Sequence, residues 1–279
     1  MNREDRILVA RETIEISQSG VYFLNGEPIK ISTNRDTKYY SSEYLKNMQS
    51  IFADVFRNIK NDKVGSVSVK NESTVKTIFD IGDNDKKIGV LNFASAYNIG
   101  GGFESGAMAQ EEALAYCSNL AYIQSEEKEG LQYYKENKKL NYPIYTDGIL
   151  TGTVTFFRDE NFNFVKRPIK SLVITAPAVN VSALRNKGDL NVSVLDIMYN
   201  RMKYILELFV LNKCTDIILG AFGCGVFGNN PYDIAEIWKK LLYRYGFIKC
   251  FNSVIFSVLD NSKEKVNINS FKEKFERGI

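Results

Sequence analysis

Short runs of Val, Ile, Leu and Phe that are apolar on both faces recur along this chain, and they restrict its fold more than any other feature. They lie at residues 64–69, 87–94, 171–177, 215–222 and 253–259. Strands of this kind need helices on both sides to bury them. Helical patterns occur at residues 42–59, 108–124, 192–211 and 231–245. The alternation predicts an α/β protein, a three-layer α/β/α sandwich with a mixed, largely parallel central sheet.

The amino-terminal part of the chain follows another pattern. Apolar residues between Ile7 and Ile16 fit one face of an amphipathic helix. In the stretch "GVYFLNGEPIKI", Asn25 and Gly26 stand between two apolar runs, which is typical of a β-hairpin. We expect a helical and hairpin extension at residues 1–60, packed on a core at residues 61–279, within one structural domain overall.

The composition excludes several kinds of chemistry. The 279 residues include no histidine, which removes Ser-His and Cys-His nucleophile pairs and histidine-containing zinc sites. The formal charge is only +3 and no dense basic block occurs, so we expect no direct binding of nucleic acid. A negatively charged ligand must therefore be held locally.

The cysteines and the apolar runs bear on the compartment. Cys117, Cys214, Cys224 and Cys250 show no C-x-x-C spacing, which argues against a disulfide framework or a four-thiolate metal site and favours reduced thiols in a cytoplasmic protein. The amino terminus lacks the apolar core of a secretory signal, and no run of about 18 apolar residues indicates a membrane span. We expect neither secretion by that route nor membrane insertion.

Two glycine-rich stretches each follow a predicted strand: "NIGGGFESG" after residues 91–93 and "GAFGCGVFGNNP" after residues 217–219. Loops at the carboxyl ends of parallel strands form the ligand crevice of such sheets. Glycine lets successive N–H groups approach a phosphate closely, although a tight turn is the alternative explanation. Neither stretch fits the nucleotide motifs G-x-x-x-x-G-K-[ST] or G-x-G-x-x-G. Nearby, residues 126–139 predict a solvated helix and residues 142–165 an extended excursion beside the crevice.

Gln110, Glu111 and Glu112 open a predicted helix seven residues after the first glycine cluster. Glutamates also favour helix amino termini through the helix dipole, which is the alternative explanation for this pair. Neighbouring residues on a helix point about 100° apart, so the two carboxylates cannot flank one bond as in a conventional glycosidase. One glutamate could face the crevice while the other orients a substrate hydroxyl.

The joint pattern of three glycines, seven residues and Gln-Glu-Glu resembles the catalytic signature of poly(ADP-ribose) glycohydrolases. The chain is similar to the microbial-type branch, a macrodomain with a short amino-terminal extension, over roughly residues 5–260. Ile99, Tyr97 and Ser95 depart from residues that are more usual beside the glycines. The other stretches that carry the resemblance are "ARETIEI" (10–16), "VLNFASA" (90–96), "ITAPAVN" (174–180) and "LGAFGCGVFGNNP" (219–231).

The resemblance implies an enzyme that hydrolyses ribose–ribose O-glycosidic bonds of poly(ADP-ribose), mainly from chain ends, and releases ADP-ribose. It implies Glu112 as general acid and base, Glu111 as a ligand of ribose hydroxyls, and neither a metal nor a cofactor. We expect a monomer whose partner is poly(ADP-ribose) or an ADP-ribosylated protein. The substrate-binding residues that the resemblance implies are Asn98, Gly100, Gly101, Gly102, Gln110, Gly223, Gly225, Val226, Phe227, Gly228 and Asn229.

Two alternatives stay open at the level of sequence. One is a non-catalytic macrodomain that binds ADP-ribose, against which the Gln-Glu-Glu triplet argues. The other is a hydrolase of another ADP-ribosyl linkage. Cys224, between two glycines, is a candidate nucleophile only in appearance, because no histidine or cationic neighbour would lower the pKa of its thiol.

Overall fold

The computed structural model describes residues 1–58, 64–82, 86–139, 142–188 and 192–276. The helices of this part of the chain are α1 (Arg3–Ser19), α2 (Ser42–Asn47), α3 (Gln49–Asn58), α4 (Thr74–Ile81), α5 (Gln110–Cys117), α6 (Leu120–Gln124), α7 (Gly130–Lys139), α8 (Val181–Lys187), α9 (Val194–Leu211), α10 (Pro231–Lys239) and α11 (Val266–Glu276). The strands are β1 (Val21–Leu24), β2 (Glu27–Lys30), β3 (Thr37–Tyr40), β4 (Ser66–Lys70), β5 (Ile88–Phe93), β6 (Ile149–Arg158), β7 (Phe164–Ala176), β8 (Asp216–Leu219) and β9 (Ser253–Ser257).

Seven of these strands form one mixed sheet in the order β3-β6-β7-β5-β8-β9-β4. The five strands from β7 to β4 run parallel, whereas β6 is antiparallel to both β3 and β7. All five predicted strands are present, and the mixed, largely parallel sheet is confirmed. The parallel strands β5 and β8 are neighbours, so the loops that follow them leave the same edge side by side.

Helices cover both faces of the sheet. Along β5, Leu91 faces a core that it shares with α9 and α10, whereas Val90 faces a second core that it shares with α1, α4 and α5. These side chains are buried on both faces because parallel strands between two helical layers have no solvated side. The predicted three-layer α/β/α fold is therefore confirmed.

The amino-terminal helix and hairpin are present as predicted. Asn25 and Gly26 form the turn with φ of +54° and +82°, the conformation that an Asn-Gly hairpin turn requires. Helix α1 is part of the second core through Ala10, and its Glu12 forms an ion pair with Arg158 of β6. Strand β3 also belongs to the main sheet. The proposed boundary between residues 60 and 61 lies outside the described residues.

Five local predictions differ from the structure. Residues 142–165 contain the inner strand β6 rather than an excursion, because threonine and glycine at positions 151–153 weaken its apolar pattern while helices still bury it. The predicted helix at 108–124 is broken at Ser118 and Asn119 into α5 and α6. Residues 130–139 form α7, which buries Tyr133 and Tyr134 and is not simply solvated.

The helix predicted at residues 231–245 ends at Lys239 and continues as a π-helical turn over Lys240–Arg244. Of the helix predicted at 42–59, residue 59 lies outside the described part, and the rest divides into α2 and α3. In the described residues, no helix is long and apolar enough to cross a membrane.

Candidate active site

The two glycine-rich loops meet at the carboxyl ends of β5 and β8, as predicted. Phe93, at the end of β5, and Phe222, in the loop after β8, have ring centroids 5.7 Å apart. A Cβ on Gly220 would lie 2.9 Å from the Phe93 ring, so the roots of the loops touch. They therefore adjoin at the carboxyl ends of β5 and β8, where the sequence predicts the crevice.

The backbone N–H groups of the glycines in the first loop are hydrogen-bonded within the protein. Gly100 and Gly101 have φ of +62° and +65°, a region that favours glycine. The N–H of Gly100 donates to Oε1 of Gln124 (3.0 Å), that of Gly101 to the carbonyl of Asn98 (3.1 Å), and that of Gly102 to Oε1 of Glu112 (2.9 Å). These N–H groups are therefore not free for a phosphate, contrary to the sequence-based expectation.

Gly101 brings the two carboxylates together. A Cβ at this position would lie 2.3 Å from Oε1 of Glu112 and 3.0 Å from Oε2 of Glu111. No side chain fits there, and the positive φ would strain any other residue as well. The glycine is thus required because both glutamates pack against its backbone, which is a different reason from phosphate binding.

Glu111 is buried in the floor of the crevice, with 4% of its surface exposed. Its Oε2 accepts from the N–H of Ser95 at 2.7 Å, and its Oε1 accepts from Nδ2 of Asn92 at 3.1 Å. Burial raises the pKa of the Glu111 carboxyl to about 8, against the smaller lowering effect of these two hydrogen bonds. Burial therefore favours the protonated form of Glu111.

Glu112 presents one fixed and one unpaired oxygen. The N–H of Gly102 holds Oε1, whereas Oε2 is buried and has no hydrogen-bond partner in the described part of the chain. Buried polar atoms are nearly always paired in folded proteins, and an exception of this kind is typical of a catalytic group that waits for its ligand. This is the carboxylate oxygen of Glu112 whose hydrogen-bonding capacity the described part of the protein leaves unused.

Gln110 is held by strand β5. Its Oε1 accepts from the N–H of Phe93 (2.9 Å), and its Nε2 donates to the carbonyl of Leu91 (2.9 Å) and to Oγ1 of Thr74 (3.3 Å). Both ends of the carboxamide are therefore occupied by protein. This arrangement favours a role in anchoring the start of α5 to the sheet over direct contact with substrate.

The second loop leaves its outer backbone open. Gly223 and Gly228 have φ of +75° and +68° and pack tightly, whereas a Cβ on Gly225 would meet no atom within 4 Å. Val226 is 85% exposed. In the described part of the chain, nothing accepts a hydrogen bond from the N–H groups of Gly225, Val226 or Phe227. Three neighbouring donors of this kind suit an anionic ligand.

Asn229 and Cys224 support the second loop from within. Nδ2 of the buried Asn229 donates to the carbonyls of Val179 (2.8 Å) and Gly223 (3.0 Å), which ties the loop to the end of β7. Burial raises the pKa of the Cys224 thiol far above its usual range, which agrees with a packing role.

Aromatic side chains connect the two loops across the crevice. The Phe227 ring lies 6.1 Å from that of Tyr145, which in turn contacts Tyr97 at 5.6 Å and Tyr142 at 6.0 Å. Asn98 is exposed beside this group, and its backbone N–H donates to Oγ of Ser95 at 3.0 Å. Phe227 thus has a protein ring on one side, and Asn98 lies where a ligand can reach it.

Several residues of the site carry no motif that sequence could reveal. Asn92 donates to the carboxyl of Glu111, and Gln124 accepts the N–H of Gly100 in the first glycine-rich loop. Both side chains are fully buried. From α1, Nε of Arg3 donates to the carbonyl of Ser105 (2.8 Å), and Nε of Arg6 donates to that of Gly106 (2.9 Å). A polar residue inside an apolar strand, such as Asn92, was the one available signal.

Solved bacterial enzymes share this fold. The poly(ADP-ribose) glycohydrolase of Thermomonospora curvata matches with a TM-score of 0.86 and 29% identity over 98% of this chain and all of that one. Its structure with the inhibitor ADP-HPD matches with a TM-score of 0.83, also at 29% identity over 98% of this chain and 100% of that one. The enzyme of Deinococcus radiodurans in complex with ADP-ribose matches with a TM-score of 0.79 and 29% identity, over 88% and 96% of the two chains. The fold and the acidic crevice thus define a macrodomain-type glycohydrolase.

The sequence model of the family described as microbial-type PARG, catalytic domain, matches residues 10–159, where PARG stands for poly(ADP-ribose) glycohydrolase. The chain therefore belongs to the microbial-type poly(ADP-ribose) glycohydrolases, which are hydrolases of poly(ADP-ribose). A comparison with curated proteins gave no match.

Proposed function

We propose that Glu112 is the general acid and base with which this chain hydrolyses ribose–ribose O-glycosidic bonds and releases ADP-ribose, mainly from polymer ends. The observation that carries the proposal is the buried, unpaired Oε2 of Glu112, whose partner oxygen is fixed by the N–H of Gly102. A carboxyl group held at one oxygen and free at the other can exchange a proton with a bound substrate without rotating away.

In the proposed reaction, Glu112 protonates the leaving ribose oxygen as the glycosidic bond breaks. Positive charge develops on the distal ribose as an oxocarbenium ion, and Glu112 then takes a proton from the attacking water. Protonated Glu111 adds no second negative charge at the floor of the crevice, and its carboxyl group can orient ribose hydroxyls. The two neighbouring glutamates thus take different roles because their surroundings differ.

The second loop is the proposed wall for the diphosphate. The open N–H groups of Gly225, Val226 and Phe227 support this assignment. That the ligand is ADP-ribose is supported by the similar Deinococcus radiodurans enzyme, which was solved in complex with ADP-ribose. We assign the distal ribose to the first loop, beside Gly101 and Glu112, with Asn98 as a further contact. Gly223, Gly228 and Asn229 hold the second loop in shape.

The remaining proposals concern the setting of the enzyme. We propose that it acts as a monomer in the cytoplasm on poly(ADP-ribose) or on an ADP-ribosylated protein. The free thiols of all four cysteines support a reducing compartment. Sedimentation of the purified protein tests the monomer, because a dimer would have twice the mass of 31.7 kDa.

Replacement of Glu112 by Gln tests the catalytic proposal. We expect kcat on poly(ADP-ribose) to fall by about 10²–10⁴-fold, the usual contribution of general acid and base catalysis. Calorimetric Kd for ADP-ribose should stay within about threefold, since the variant keeps an acceptor for the Gly102 N–H. Glu104→Gln, an exposed carboxylate in the loop before α5, is the matched control. Undiminished turnover by Glu112→Gln would exclude the assignment.

The linkage is tested by a choice of substrates. Release of ADP-ribose from the polymer, together with slower release from a mono-ADP-ribosylated protein, is the expected result. The reverse order would identify a hydrolase of a protein linkage, and binding of ADP-ribose without any release would identify a reader.

A further inference from the structure

Gln124, the last residue of α6, lies directly beneath the first glycine-rich loop, which contains Gly100. Its side chain is 1% exposed, and its Oε1 accepts the N–H of Gly100 at 3.0 Å. Gly100 is itself buried, so this N–H needs a partner within the protein. The carboxamide of Gln124 is the partner that the structure gives to it. The turn that begins at Gly100 ends at Gly102, whose N–H holds Glu112.

The other end of the Gln124 carboxamide is connected to Glu111 by a series of hydrogen bonds. Its Nε2 donates to Oγ1 of Thr175 at 3.1 Å, and Thr175 is the strand partner of Asn92 in the β5–β7 ladder. Nδ2 of Asn92 lies 3.4 Å from the same hydroxyl and 3.1 Å from Oε1 of Glu111. A buried chain of hydrogen bonds therefore joins Gly100 to Glu111 through three side chains.

The break between α5 and α6 puts Gln124 in this place. Asn119 interrupts the helix by bonding to β6: its N–H donates to the carbonyl of Thr155 at 3.2 Å, and its Oδ1 accepts the N–H of Thr155 at 2.7 Å. The chain then restarts as α6 in a new direction and ends below the loop. The interruption has a functional consequence, because it separates the helix that carries Glu112 from the helix that supports its loop.

We propose that Gln124 is a positioning residue that fixes both catalytic carboxylates at once, Glu112 through the turn of residues 100–102 and Glu111 through Thr175 and Asn92. Its consequence for turnover rests on the proposed function of Glu112. The groups that it connects lie on four separate elements: strand β5, the loop after it, the start of α5 and strand β7. A shift of about 1 Å in such a group can lower a rate by about 10²-fold.

Replacement of Gln124 by Leu tests the proposal, with Gln132→Leu on α7 as the matched control outside this chain of hydrogen bonds. We expect kcat on poly(ADP-ribose) to fall by about 10–100-fold while KM changes by less than about threefold. Hydrogen exchange at the N–H groups of residues 100–102 should become at least about tenfold faster, because their anchor is lost. The control should show neither change.

Thr175→Val, which keeps the shape of the side chain but removes the hydroxyl, is the second variant and suffices if Gln124→Leu does not fold. Both variants should lower kcat, and their losses should not multiply in the double variant, since they interrupt one network. A multiplicative loss, or variants that match Gln132→Leu in rate and exchange, would overturn the proposal. If Gln124→Leu shows faster exchange but the wild-type protein does not cleave the polymer, only the proposed function is refuted.

Discussion

Glu111 should make the stability of this protein fall as the pH rises, and Glu111→Gln should remove that dependence. Burial holds the pKa of the Glu111 carboxyl at about 8 in the folded protein, against 4.5 as the ordinary value. Below the ordinary value the group is protonated in both states and has no effect. Above it the unfolded chain releases the proton while the folded protein keeps it, so stability is lost progressively until the pH reaches about 8.

The size of the effect follows from the two pKa values. Each pKa unit corresponds to about 1.4 kcal/mol, so the wild type should lose about 2–3 kcal/mol of unfolding free energy through this group between pH 5 and pH 7. Gln cannot ionise and should show no such loss. The variant should fold, because the carboxamide of Asn92 can rotate. Its Oδ1, which is unpaired in the wild type, then accepts from the new NH₂ group of the glutamine that replaces Glu111.

Urea unfolding at pH 5 and pH 7 measures this difference, and all other titrating groups cancel between the two proteins. Glu104→Gln, which changes an exposed carboxylate in the loop before α5, is the matched control. If the wild type and Glu111→Gln changed equally between the two pH values, the buried carboxyl would not carry the stated pKa. The same result would remove the reason for assigning the two glutamates different roles.

Two further predictions concern the loops. Gly101→Ala should lower kcat by at least about 10²-fold, because a Cβ 2.3 Å from Oε1 must displace Glu112; a steady-state rate near that of the wild type would contradict the packing described. Asn229→Ala should lower the unfolding free energy by about 1–3 kcal/mol, since the carbonyl of Val179 loses its donor and that of Gly223 keeps only the backbone N–H of residue 229. Calorimetry should also show weaker binding of ADP-ribose by this variant, and unchanged binding would separate Asn229 from the shape of the second loop.

The sequence predicted the parts of the fold that depend on simple periodicity. Apolar residues on both faces identified β5 and β8, and the pair Asn25 and Gly26 identified the hairpin. Strand β6 escaped because Thr151 and Thr153 read as polar, although Thr151 is buried with its hydroxyl bonded to the carbonyl of Lys38 and only Thr153 of this strand is exposed. The break at Asn119 also escaped, since it depends on hydrogen bonds to a strand that was itself missed.

For the site, the sequence indicated which residues come together but not how they act. The glycines at 100–102 and the glutamates at 111 and 112 do meet, yet the glycines serve carboxylate packing and their N–H groups bond within the protein. The side chain of Gln110 is likewise bonded within the protein, to the backbone of β5. Spacing along the chain predicts proximity, whereas the choice among several hydrogen-bond partners depends on elements that are remote in sequence, such as α6.

Helix α1 links the amino-terminal part of the chain to the approach to the glutamates. Nε of Arg3 and Nε of Arg6 donate to the carbonyls of Ser105 and Gly106, in the stretch that leads to Glu112. The same helix packs in the second core through Ala10 and pairs with β6 through Glu12 and Arg158. A substitution that shifts α1 in this core should therefore also shift the backbone just before the catalytic glutamates, although it lies about one hundred residues away in the sequence.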